Sequence, residues 1–214
     1  MEHSNQIAKQ FDEVLKDVRS SYRFLYQYQK RLMDLVAFIS NHWGFLFTDG
    51  ESHFHNNAHK SFSNIEPGNH WAWNSLQLYH YNFIYKSKTI GKWEKVMLMI
   101  NTVSDTGFYD SHGQVKTRVQ DFAPVEESKT QLHIILKTQG IGWRNYMDKQ
   151  FTALSENDGF VQNEKKDQLL IGKKYDLSRF IDEERTLLVL KDFEDFCKLN
   201  GVRLVSDKNQ SSTY

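Results

Sequence analysis

From Ser4 to Trp43 the chain contains neither proline nor glycine, and its apolar residues recur at alternating steps of four and three. Ile7, Phe11, Val14, Val18, Leu25, Tyr28, Leu32, Leu35 and Ile39 make the series, with Ser21 as one polar slip. A spacing that averages about 3.5 keeps these side chains on one side of an α-helix, the pattern by which helices pair along a seam. Gly44 follows where such a helix would stop, because glycine enters the left-handed conformation of a C-terminal cap without steric cost. A helix of about 40 residues is roughly 60 Å long at 1.5 Å per residue, longer than the compact domain expected of this chain. Two resolutions follow. Either the helix breaks near Arg19, Ser20 and Ser21 and folds back as a hairpin, or it runs on and pairs with a second copy or another subunit.

The two halves of this segment differ. In the second half Phe24, Tyr26, Met33, Val36 and Phe38 lie off the seam, and a helix apolar on several faces is usually buried by more than one neighbour. In the first half a single narrow seam is flanked by Lys9, Asp12, Glu13, Lys16, Asp17 and Arg19. The expected organisation is therefore residues 1–43 as a long amphipathic helix or helical hairpin, and 44–214 as an α+β domain packed on its second half. Ile7, Phe11, Val14 and Val18 are the expected partner-binding residues.

Beyond residue 69 the period changes to two. The stretch from His70 to Lys86 alternates, with Trp71, Trp73, Tyr79, Tyr81, Phe83 and Tyr85 on one parity and Ala72, Leu76, Leu78 and Ile84 on the other. Apolar side chains on both parities indicate a strand covered on both faces. SKTIGK (87–92) supplies turn chemistry, WEKVMLMINTV (93–103) a return strand, and residues 104–114 a polar loop. VKTRVQDF (115–122) reads as an edge-like strand ended by Pro124, and TQLHIILKT (130–138) as a further strand. The links are too short for helical crossovers, so an antiparallel meander of three to four strands is expected. Residues 142–154 then suggest a short helix, 162–168 a solvated loop, and 176–201 a long helix ending at Asn200-Gly201. Its expected buried stripe is Leu187, Leu188, Leu190, Phe193, Phe196, Cys197 and Leu199. Helices flanking a meander place the fold in the α+β class.

Composition narrows the function. With 27 basic and 27 acidic residues the formal net charge is zero, which argues against nucleic acid as the partner. No apolar run approaches the roughly 20 residues that span a bilayer. No secretory leader pattern opens the chain, and the one cysteine, Cys197, cannot form an internal disulfide. The expectation is a cytoplasmic protein that does not engage a membrane, with Cys197 in the core of its helix.

Candidate chemistry is sparse. His53, His55 and His59 fall within seven positions, and three imidazoles with an open fourth position are a zinc arrangement. The loop carries no His-Glu-x-x-His pattern. Glu51 could act as its base. Glu127-x-Lys129, with Asp110 or Asp121 upstream, echoes the acidic-x-lysine arrangement that holds magnesium in some nucleases. Trp71, Trp73, Tyr79 and Tyr81 could form a stacking platform for a ligand, though strand aromatics more often serve packing. No dinucleotide, phosphate-loop or serine-hydrolase fingerprint appears. The sequence therefore reads as a non-enzymatic interaction or assembly subunit without a cofactor, associating with itself or a partner protein through the N-terminal heptad helix. The alternative is a metal-dependent hydrolase or nuclease using the His53/His55/His59 loop, with zinc or another divalent metal.

Overall fold

The structure, a computed structural model, describes residues 2–53, 76–110, 118–138, 154, 157–162 and 168–207. It divides into two units, Met1–Phe38 and Ile39–Tyr214. Helix α1 runs unbroken from Glu2 to His42, through Arg19, Ser20 and Ser21. Its end is set by glycine. Gly44 has φ +65°, its N–H donates to Asn41 O, and Phe45 N–H donates to Ser40 O. These are the paired bonds of a Schellman cap, which satisfy carbonyls the helix leaves open.

Within Ile39–Tyr214 the centre is one antiparallel sheet. Its strands are β1 (Phe47–Ser52), β2 (His80–Tyr85), β3 (Lys88–Ile90), β4 (Trp93–Val103), β5 (Gln131–Lys137), β6 (Gly159–Gln162) and β7 (Leu170–Asp176). The order is β1-β2-β4-β5-β7-β6, with β3 paired to β4. Among the described residues seven strands correct the expected three to four. The fold is α+β: a long N-terminal helix, this sheet, and a C-terminal helix α3 (Glu183–Leu199). A four-residue helix α2 (Gly107–Asp110) lies between β4 and β5.

The sheet register gives each face its character. On one face the rows Phe83–Ile100–Ile134, Leu98–Leu136–Ile171 and Thr102–Leu132–Tyr175 run across neighbouring strands. Apart from Thr102 these rows carry large apolar side chains, and all of them are buried. This is the face of α3. Tyr175 Oη and Lys173 Nζ both donate to Asp192 Oδ2 at 2.7 Å, tying β7 to the helix. Asp182 caps α3, its carboxylate accepting from Arg185 N–H at 2.8 Å, which satisfies a donor the first turn leaves open.

Several local expectations are corrected. The buried residues of α3 are Thr186, Val189, Leu190, Phe193 and Cys197, whereas Leu187, Leu188 and Leu199 are exposed. The helix starts at Glu183, because Leu177–Phe180 forms a separate 3₁₀ turn. Of the strand expected at 115–122, Val119–Asp121 is a 3₁₀ turn, and 115–117 lie outside the described residues. The alternating stretch enters the sheet only at His80, with Gln77–Tyr79 in a 3₁₀ turn. SKTIGK holds β3 as well as its turn at Gly91, φ +57°. The suggested helix at 142–154 lies outside the described residues apart from Leu154.

Candidate functional site

Two features stand out for function: an exposed seam on α1 and a buried polar row on the sheet. Along α1 the seam residues Ile7, Phe11, Val14 and Val18 are 53%, 61%, 55% and 43% exposed, whereas Leu32 and Val36 are 2% exposed. The ion pairs Lys16–Glu13 and Lys30–Asp34 lie on the opposite side of the heptad from the seam. With Ile7 and Val14 in d and Phe11 and Val18 in a, the flanking e and g positions are Ala8, Gln10, Leu15, Asp17, Tyr22 and Phe24. Only Asp17 among them is charged.

The second feature is on the sheet face away from α3. Register aligns Asn82 with Asn101, Asn101 with His133 and His133 with Lys174. A second row aligns His80, Val103, Gln131 and Asp176 beside it. His80, Asn82, Asn101, Gln131 and His133 are all buried. Buried polar groups cost free energy unless paired, and part of the pairing is clear. Asn101 Nδ2 donates to Asn82 Oδ1. Gln131 Nε2 donates to Asp176 Oδ1 at 3.1 Å, so its Oε1 faces Tyr109 Oη and His133 Nε2. Both of these donate to it, which leaves the proton of neutral His133 on Nε2.

Burial keeps the two histidines of these rows neutral. Burial pushes His80 well below the ordinary histidine range, with smaller contributions from His53 and His133, and the Asn101 amide acts the other way. Burial, helped by Lys174, brings His133 down to about 3. Further along β5, burial lowers Lys137 to about 8. Aromatic side chains border the row: the rings of Phe108 and His80 are 5.4 Å apart, and Tyr79 packs on Phe108 and Phe122.

The sequence-derived sites map as follows. His53 lies just beyond β1, its N–H donating to His80 O and its ring 4.4 Å from the His80 ring. His55 and His59 lie outside the described residues, as do Trp71 and Trp73. Tyr79 and Tyr81 occupy different elements with different neighbours. Tyr79 Oη donates to Asp105 O, and Tyr81, in β2, packs on Phe83 at 4.8 Å. Lys129 pairs with Asp176 at 3.2 Å, and Asp121 lies in the 3₁₀ turn before Phe122. Among the described residues no group of three His, Cys, Asp or Glu side chains is placed to share a metal ion. Cys197 is fully buried, and burial raises its thiol well above the usual range, the mark of an inert core cysteine. Sequence reading singled out neither His80 nor His133, because each stands as a lone histidine within an otherwise largely apolar strand. Their alignment appears only once the register is known.

A family model matches residues 8–204, and the chain belongs to that family, PM0109. No curated protein matches the chain, and no solved structure does. Among the described residues no helix is long and apolar enough to cross a membrane.

Proposed function

We propose that this member of the PM0109 family is an assembly subunit that associates with a second copy of itself through the first half of α1. The observation that carries the reading is the exposure of Ile7, Phe11, Val14 and Val18 along one seam of an unbroken helix. Helices gain most of their stability from packing an apolar stripe, and this stretch leaves its stripe in water. The character of the flanks favours a like partner. Like charges in e and g positions oppose pairing of identical helices, and here only Asp17 is charged among six such positions. Leu15, Tyr22 and Phe24 widen the stripe, which suits a coiled coil or small helical bundle.

The free, buried Cys197 fits a reducing compartment, and we place the assembly in the cytoplasm. The neutral charge balance favours a protein partner over nucleic acid. Co-expression of two differently tagged copies tests the reading. The chain with the second tag is expected to be retained in stoichiometric amount on the first tag. Complete loss of the second copy under the same conditions refutes self-association. The alternative reading, a metal-dependent hydrolase or nuclease, draws on one observation, the position of His53 against the buried His80.

A further inference from the structure

The geometry points to two oppositely charged ends of the Ile39–Tyr214 unit as the surface by which two copies of this chain recognise each other. The inference rests on the association through α1 and names what selects the partner there. The sheet fixes the two ends. β4 runs from Trp93 to Val103, and the pairing of β4, β5 and β7 sets Val103, Gln131 and Asp176 at one end of it. Leu177 N–H donates to Thr130 O and Ala123 N–H to Gly107 O, which brings the turn at 124–128 and the start of α3 to that same end. At the opposite end lies the hairpin of β3 and β4. There Trp93 Nε1 donates to Gly201 O at 3.3 Å, holding the hairpin beside the C-terminus of α3.

Charge follows this division. Glu126, Glu127, Glu183 and Glu184 are exposed at the first end, and Lys86, Lys92, Lys95, Lys198 and Arg203 at the second. None of them enters an ion pair with a described residue. The opposing charges are fewer or already engaged. At the acidic end Lys129 and Arg185 pair with Asp176 and Asp182, which leaves Arg118 and Arg179. At the basic end Lys88 is beside Asp207, which leaves Glu94. Part of the pattern serves α3 itself, because carboxylates suit a helix N-terminus and cations its C-terminus. That accounts for Glu183, Glu184 and Lys198, but not for Glu126, Glu127 or the hairpin lysines. Along α3, Glu184 and Lys198 are roughly 21 Å apart at 1.5 Å per residue, about twice the Debye length in 0.1–0.15 M salt. The two ends therefore do not neutralise each other within one chain, and the zero net charge conceals them.

A second copy related by a two-fold axis offers its acidic end to the basic end and its basic end to the acidic one, so one operation satisfies both contacts. The α1 seam needs such a selector. In paired helices the e and g charges set partner choice and orientation, and among those positions here only Asp17 is charged. Burial of the seam supplies affinity, and the charged ends supply specificity and speed of encounter.

Dimer dissociation constants of the untagged full chain, from sedimentation at 0.05 M and 0.5 M salt, test the contact. Exposed charge pairs are screened by salt whereas an apolar seam is not, so the dimer is expected to weaken at least about tenfold at the higher salt. Lys86→Glu with Lys92→Glu reverses charge at the basic end, and Glu126→Lys with Glu127→Lys reverses it at the acidic end. Each double variant is expected to weaken its own dimer at least about tenfold at low salt with an unchanged thermal melt, because symmetry counts each change twice. Mixing the two variants sets opposite charges against each other again and is expected to recover the wild-type affinity in mixed dimers. A dimer indifferent to salt and to both double variants overturns the recognition surface and leaves the association through α1 standing. Failure to recover on mixing also overturns it. A single chain under every condition removes the α1 reading and this inference with it. A fluorescent nucleic-acid duplex that binds the wild type and not Lys86→Glu, Lys92→Glu, with the dimer unchanged, assigns the basic end to a polyanion instead.

Discussion

Replacing Phe11 and Val14 together with aspartate is expected to dissociate the assembly while leaving the Ile39–Tyr214 unit folded. Full burial of a Phe or Val side chain contributes about 1.5–3 kcal/mol. Phe11 and Val14 are 61% and 55% exposed in the single chain, so about half of that remains to be gained from a partner. Two side chains in each of two copies then give about 4 kcal/mol, a loss of about a thousandfold in affinity. Placing aspartates in an apolar seam costs more, so a thousandfold is a floor. Because both positions are exposed in the single chain, the melting of the rest should shift little. Sedimentation together with a circular-dichroism melt checks both halves of the expectation. If the double variant unfolds as a whole, α1 is an ordinary core element.

The second large effect is acid destabilisation centred on the polar row. In the unfolded chain histidines titrate near 6.5. In the fold His133 is brought down to about 3 and His80 is pushed well below its usual range, in both cases chiefly by burial. Above about pH 6.5 neither state takes up these protons, and the neutral fold keeps its full stability. Below that, the unfolded chain binds protons that the fold refuses, so stability falls as pH drops, until the folded groups titrate in turn. For His133 the limiting slope is about 1.4 kcal/mol per pH unit, giving a loss of about 2 kcal/mol by pH 5. His80 adds to the loss with the same sign. Urea unfolding at pH 7.5 and pH 5 reads the difference. In His133→Asn the loss should shrink by about the share of one histidine. An equal loss in the variant would place the acid sensitivity elsewhere.

How much of this was written in the chain differs by element. β4 and β5 were legible because WEKVMLMINTV and TQLHIILKT are apolar runs of strand length bounded by turn residues, and both became strands close to those bounds. The long helix was legible from its seam, and its end from Gly44. The strands β1, β6 and β7 were not. β1 is FTDGES, a largely exposed segment with a glycine and two carboxylates and no alternation to detect. β7 carries two lysines and a glycine. The lysines are accommodated by Asp192 and Asp158. The glycine is needed because a Cβ at Gly172 would lie 2.5 Å from the Phe160 ring. Those partners are 16 or more residues away or on another strand, beyond the reach of local pattern. In α3 the periodicity misassigned Leu187, Leu188 and Leu199 because leucine content was read as burial, whereas Val189 and Thr186 face inward. VKTRVQDF shows the opposite error. Its alternation is that of a strand, but Val119–Asp121 closes as a 3₁₀ turn.

The candidate site divides in the same way. The α1 seam depends on spacing along one element, which a sequence displays. The row Asn82–Asn101–His133 depends on the register of three strands separated by loops of different length. The loop histidine His53 was visible, but its companion His80 lies 27 positions away and joins it only across the first strand pairing.

Sedimentation equilibrium of the untagged full chain over a concentration series tests the central claim most directly. The account predicts a mass that rises from 25.3 kDa toward twice that value as concentration increases, and that stays at the single-chain mass for the Phe11→Asp, Val14→Asp variant. A mass of one chain at every concentration, the same for both proteins, would contradict it.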